Sequence, residues 1–211
     1  LRPRLFGSKA WAFSDPQPSP RTTPFRDKLP MPRVLTPQPP PPQYDDGNTD
    51  FYEIRSFQAT QRIFPAGPET TIWGYDGLYP GPTIEATLNR RVVVRHFNLL
   101  PADTPNAVVH LHGGHTEPNS DGYPTDLIPT GEFRDYIYAN DDDLPATLWY
   151  HDHTLDFTGL NVIMGLAAFY IVRDQTEKDL PLPRGPFEVP LVIQDRRFDA
   201  TAHVDELAAA D

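Results

Sequence analysis

Short runs of apolar, β-branched and aromatic residues begin at Phe51, and the runs are separated by turn residues, chiefly Gly, Pro and Asp. Such residues suit a pleated, half-buried surface, so each run reads as a short strand. On this pattern strands are expected over residues 51–64, 70–75, 83–88, 91–98, 107–112, 133–138, 147–151, 166–173 and 189–194. The breaks fall at Pro65-Ala66-Gly67-Pro68, Asp76-Gly77, Pro80-Gly81-Pro82, Gly113-Gly114 and Asp141-Asp142-Asp143, all sequences that favour turns. Helical periodicity is scarce, and only residues 155–164 read as a helical turn. Many short strands with little helix predict an all-β sandwich or barrel, with no internal repeat.

Composition changes this picture mainly upstream. Residues 1–50 carry Pro16, Pro18, Pro20, Pro24, Pro30, Pro32 and the run Pro39-Pro40-Pro41-Pro42. Proline removes backbone donors and favours polyproline II, so an extended arm is expected here rather than a packed unit. Leu5, Phe6, Trp11, Phe13 and Phe25 are apolar enough for that arm to lie along the surface of a neighbouring domain. The expected organisation is an arm over 1–50, one β domain over 51–175, and a linker leading into a further domain over 176–211.

Charge and cysteine content exclude several classes. A formal net charge of −11 argues against nucleic acid or an anionic membrane as the main partner. No apolar run approaches the roughly 18 residues of a membrane-spanning helix, and no signal peptide is visible in the sequence. Cysteine is absent, which rules out disulfides, thiolate-bound zinc, iron–sulfur clusters and a thiol nucleophile. It equally rules out a blue-copper site built by this chain alone, since such a site needs a thiolate beside two imidazoles.

The candidate chemistry lies in histidine. Four of the seven histidines form two His-x-His units, His110-Leu111-His112 and His151-Asp152-His153, each at the end of an apolar run. Residues two apart on a strand share a face, so each unit presents two imidazoles about 6.5 Å apart along the strand. If the strands are neighbours, all four converge on a metal. Imidazole suits copper, zinc, nickel and iron alike, and spacing fixes neither the metal nor the number of ions. Asp152, between two ligands, is expected to point away from the metal in a supporting role. His96 and His203 are expected to be structural, His115 to serve the loop or to support the ligands without binding metal, and Trp149 and Tyr150 to pack in the core.

Three segments carry a resemblance. They are Trp73-Gly74-Tyr75-Asp76-Gly77-Leu78-Tyr79-Pro80-Gly81-Pro82-Thr83-Ile84-Glu85-Ala86, then His110-Leu111-His112-Gly113-Gly114 with Ser120-Asp121-Gly122-Tyr123-Pro124, and Leu148-Trp149-Tyr150-His151-Asp152-His153. In this order they resemble the first cupredoxin domain of multicopper oxidases, within the branch of spore-coat laccases, bilirubin oxidases and phenoxazinone synthases. The similarity extends from about Phe51 to Phe198 and implies a cupredoxin-like Greek-key β-sandwich or barrel.

The resemblance also implies roles. His110 would bind a type 2 copper, His112 and His151 one type 3 copper, and His153 the other, together half of a trinuclear cluster that reduces O2 to water. Asp121 would lie near the type 2 copper and help deliver protons, although a turn before Gly122 explains an Asp there equally well. A complete enzyme supplies twice as many cluster histidines, and a His-Cys-His unit whose Cys binds the type 1 copper; this chain has neither. The expected arrangement is therefore an N-terminal part of a split or cleaved laccase-like oxidase, active only with a C-terminal partner chain bearing His-Cys-His. That partner would take electrons from a small phenolic or aminophenolic reductant, and an extracytoplasmic location is expected. Two other readings stand beside it: a non-catalytic copper-binding module of cupredoxin type, and a mononuclear zinc or copper enzyme using three of the four histidines.

Overall fold

The structure is a computed structural model that describes residues 23–63, 67–141 and 144–196, together with Phe198 and Val204. Its elements are β1 (Thr49–Gln61), β2 (Thr70–Tyr75), β3 (Ile84–Thr87), β4 (Arg91–Asn98), β5 (Val109–His112), β6 (Phe133–Tyr138), β7 (Ala146–Asp152), α1 (Thr158–Met164), β8 (Ala167–Arg173) and α2 (Gln175–Asp179). The strands form two four-stranded sheets, ordered β2-β1-β4-β6 and β3-β8-β7-β5. Pairing is mixed, with β1–β4 and β3–β8 parallel and the other contacts antiparallel.

The core lies between the sheets because each strand alternates. Val92 and Val94 of β4 and Tyr136 and Tyr138 of β6 meet Val109 and Leu111 of β5, Tyr150 of β7, and Ala168, Tyr170 and Val172 of β8. Many of these residues are tyrosines, and a buried hydroxyl left unpaired is costly, so their partners matter. Tyr150 donates to Pro82 O at 2.6 Å, Tyr170 donates to Asn140 Oδ1 at 2.8 Å, and Tyr136 accepts from Val109 N–H at 3.0 Å.

His96 is the one imidazole inside this core. It is 1% exposed and meets the rings of Tyr75, Tyr136 and Tyr150 edge-on at 5.6, 5.6 and 5.7 Å. Burial alone drives its pKa from 6.5 down to about 3, so the ring is neutral in the fold. Once unfolded it protonates below about 6.5, and stability is lost as pH falls from there towards 3. His151, lowered to about 4, works in the same direction, whereas Asp152, raised to about 6, opposes both between 6 and its unfolded value. His96→Phe is therefore expected to flatten the acid dependence by about 1.4 kcal/mol per pH unit between pH 6 and 4. Urea midpoints measured across that range check this, and parallel curves for the two proteins would contradict it.

The Pro-rich stretch is tied to this domain where it is described. Thr83 N–H donates to Arg33 O at 2.7 Å, Leu35 N–H to Thr83 O at 2.9 Å and Gln38 N–H to Phe51 O at 2.8 Å. Arg33 pairs with Asp76 at 2.7 Å, and the Tyr44 hydroxyl donates to Asp135 at 2.9 Å. Leu5, Phe6, Trp11 and Phe13, expected to face another domain, lie outside the described residues, as does His203.

Two expectations differ from the fold. Residues 189–194 form no strand, although they make a short apolar run of strand character. They lie across the outer face of β7 and β8, where Val192 and Ile193 close a cavity of about 360 Å³ against Trp149 and Phe169. A strand needs a partner edge, and these residues have none among those described. Conversely α2 was not anticipated; Asp174 starts it by accepting from Glu177 N–H at 2.6 Å.

Candidate metal centre

β5 and β7 build the site by register. They pair antiparallel, His110 facing His151 and His112 facing Trp149. His153 follows directly after β7, and its N–H donates to Val108 O at 3.0 Å. Cross-strand partners share a face, as do residues two apart, so the four histidines and Trp149 stand together on the outer side of the second sheet. Val109, Leu111, Tyr150 and Asp152 take the opposite side and are buried.

The imidazoles converge. Ring centroids of His110 lie 5.7 Å from His112, 5.5 Å from His151 and 4.9 Å from His153, and those of His112 and His151 lie 5.5 Å apart. One ring nitrogen each from His110, His112 and His151 all fall within 4.8 Å of one another.

Hydrogen bonds decide which nitrogen each ring offers. His110 Nδ1 lies 2.6 Å from Asp121 O, His151 Nδ1 2.6 Å from Asp152 O, and His153 Nδ1 3.1 Å from Gly122 O. A carbonyl oxygen has no proton to give, so each of these Nδ1 atoms donates and leaves an Nε2 lone pair for a metal. His112 differs, because its Nδ1 stands 3.3 Å from His151 Nε2. Two nitrogens each ~2 Å from a shared ion at near-tetrahedral angles are roughly 3.3 Å apart, so this pair fits one ion.

Electrostatics favour the ligating form. Burial, followed by the neighbouring histidines, holds His151 near 4, so the ring stays neutral at pH 7. Trp149 stacks on His151 at 4.0 Å and on His112 at 5.1 Å between centroids, which limits rotation of both. Asp152 is fully buried on the far side, as alternation required, and accepts from Val108 N–H, Thr154 N–H, Thr154 Oγ1 and Asn161 Nδ2 at 2.8–3.1 Å. Burial raises its pKa to about 6.

The other candidates separate clearly. Asp121 reaches His110 mainly through its carbonyl; its carboxylate Oδ1 is 3.3 Å from the same nitrogen and half-exposed at the rim. His115 is exposed on the following loop and His96 lies in the core, so neither joins the group of three. Trp149 was expected in the core, yet it stands on the metal face. The signal was in the sequence, since Trp149 precedes His151 by two and must share its side. The backbone carbonyls that orient the rings carry no letter and could not be read.

A profile of the multicopper oxidase family matches residues 56–177 of this geometry-bearing region. The chain belongs to the multicopper oxidase family. It is 39% identical over 199 residues to a laccase from Bacillus stratosphericus, covering 82% of this chain and 38% of that one. It is 34% identical over 191 residues to a bilirubin oxidase from Albifimbria verrucaria, covering 89% of this chain and 33% of that protein. The crystal structure of a laccase from Pediococcus acidilactici superposes with a TM-score of 0.78 at 28% identity, over 91% of this chain and 40% of that one. The fold is therefore cupredoxin-like, and the chain spans about two fifths of the length of these relatives. Multicopper oxidases use copper, and imidazoles without thiolate are a donor set that copper accepts.

Proposed function

We propose that this chain is the N-terminal part of a laccase-like multicopper oxidase and contributes half of the histidines of its trinuclear copper cluster. The carrying observation is the convergence of four imidazoles on one sheet face, with His112 Nδ1 and His151 Nε2 only 3.3 Å apart. In this reading His112 and His151 share one type 3 copper, His153 serves the other, and His110 serves the type 2 copper. The bound metals supply the one-electron chemistry by which O2 becomes water. The protein's part is to hold the imidazoles in fixed orientations and to keep the Asp121 carboxylate at the rim, where it delivers protons.

The remaining histidines and the type 1 copper come from a C-terminal partner polypeptide carrying His-Cys-His, which oxidises a phenolic or aminophenolic substrate. What supports the reading is that the 211 residues hold no cysteine, so the type 1 thiolate has to be supplied by sequence outside them. Copper at the junction would link folding of the two parts to metal binding. We propose an extracytoplasmic location for the assembled oxidase.

Copper analysis and oxygen uptake test the proposal. The chain alone is expected to lack a full cluster and to leave a phenol unoxidised, and to gain both copper and oxygen uptake with a His-Cys-His partner. Three coppers and phenol oxidation by the chain alone would refute the division. The grouping of His110, His112 and His151 also suits a mononuclear site with an open position, and one tightly held zinc would favour that instead.

A further inference from the structure

The loop after β5 folds back so that two consecutive backbone carbonyls meet two different imidazoles. Asp121 O lies 2.6 Å from His110 Nδ1, and Gly122 O lies 3.1 Å from His153 Nδ1. These rings come from different strands. In extended backbone, successive carbonyls point to opposite sides, so a single stretch of strand would reach only one of them. Gly122 breaks that alternation with a φ of +76°, in the left-handed region.

Gly122 is also pressed against β5 itself. A Cβ at this position would stand 2.1 Å from Val109 O, 2.6 Å from Val109 C and 3.0 Å from His110 Cα. The obstruction is backbone of the very strand that carries His110, so no flexible side chain can yield. Any larger residue must lift the loop away from β5, and both carbonyls go with it. Ser120, one step earlier, anchors the loop on the other sheet by accepting from Ile137 N–H at 3.1 Å.

We infer that Gly122 is a positioning residue: its close approach to β5 aims the Asp121 and Gly122 carbonyls at His110 and His153 and thereby fixes both rings as Nδ1–H tautomers with Nε2 free for metal. The inference rests on the copper reading for its purpose but not for its geometry. Its tautomer test needs no metal. It separates the two halves of the Ser-Asp-Gly sequence, since the carbonyl of Asp121 does the orienting while the carboxylate stays available for other work. His151 is independent of the loop, because its Nδ1 donates to Asp152 O on its own strand.

Nitrogen-15 NMR of the metal-free 211-residue chain reads the tautomer of each imidazole. His110, His151 and His153 are expected as Nδ1–H in the wild type. In Gly122→Ala, His110 and His153 should shift towards Nε2–H while His151 stays unchanged, and affinity for added copper should fall about 10–100-fold. Gly47→Ala is the matched control, because Gly47 has the same φ of +76° with nothing within 4 Å of its Cβ position. It should leave all three tautomers and copper affinity as they were. Asp121→Ala should keep His110 as Nδ1–H, and a shift there would assign the orienting role to the carboxylate instead.

Wild-type rings of His110 or His153 carrying the proton on Nε2 would overturn the inference even if Gly122→Ala fails to fold. So would unchanged tautomers in a folded Gly122→Ala. If the tautomers respond as stated but no copper is taken up even with the His-Cys-His partner present, the copper reading falls and the positioning role stands.

Discussion

His112→Ala, assembled with a His-Cys-His partner, is expected to lose oxygen uptake while keeping the partner's blue absorption and the stability of this chain. His112 is the exposed member of the four, at the end of β5, and makes no core contact, so its removal should change folding free energy by no more than about 0.5 kcal/mol. The loss falls on the metal. His112 Nδ1 and His151 Nε2 are the two nitrogens spaced for a shared ion, and without one of them the other cannot chelate. Loss of an orienting partner costs a metal site roughly 10–100-fold in affinity, and loss of a ligand itself should exceed that. Copper per assembled enzyme and oxygen consumption measure the effect. Loss of the blue band would show that the type 1 site depends on this chain, contrary to the proposed division of labour.

Asp152→Ala should have the largest effect on stability, about 3–5 kcal/mol by urea unfolding at neutral pH. Its two oxygens satisfy four buried donors, of which Val108 N–H and Thr154 N–H are backbone and cannot turn elsewhere. Those two donors flank the metal strands, one just before β5 and one just after His153, so the same carboxylate ties both His-x-His units together from behind. Asp152→Asn should cost less, about 1–3 kcal/mol. Its new amide can meet Asn161, whose Oδ1 is unpartnered and can be exchanged with Nδ2 by rotating the side chain, but one backbone N–H still loses its acceptor. Equal losses in the two variants would mean that carboxylate charge, rather than the count of acceptors, holds the strands together.

How much of this was legible differs from element to element. β2, β4 and β6 run over the residues expected of them, because each carries core side chains, Trp73 and Tyr75, Val92 and Val94, and Tyr136 and Tyr138, between turn residues. Residues 189–194 carried the same apolar, β-branched character without becoming a strand. Periodicity reports which side of a segment is apolar; it does not supply the partner edge that makes a segment a strand. α2 had its signal in Asp174 and Glu177, a capping pair three apart, which passed unread because only five residues follow the cap.

The site divides in the same way. That His110, His112, His151 and His153 share a face follows from period two, and so does the inward position of Asp152. Which nitrogen each ring presents depends on Asp121 O, Gly122 O and Asp152 O, groups that every residue possesses and that only the path of the chain can bring into place. Trp149 was legible by the same rule as the histidines; its aromatic character drew it into the core on paper.

The facing of His110 and His151 across a single ladder sets which genetic changes the site can absorb. A slip of one residue in either strand would turn Leu111 or Tyr150 outward in place of a histidine, and that strand's pair of ligands would be lost together. Insertions and deletions are therefore barred from β5 and β7. Between Gly113 and Asn119, where the chain runs over the surface, they meet no such bar so long as the return at Ser120 to Gly122 is kept. The centre is inherited as a register, and the loop between its halves is left free to drift in length.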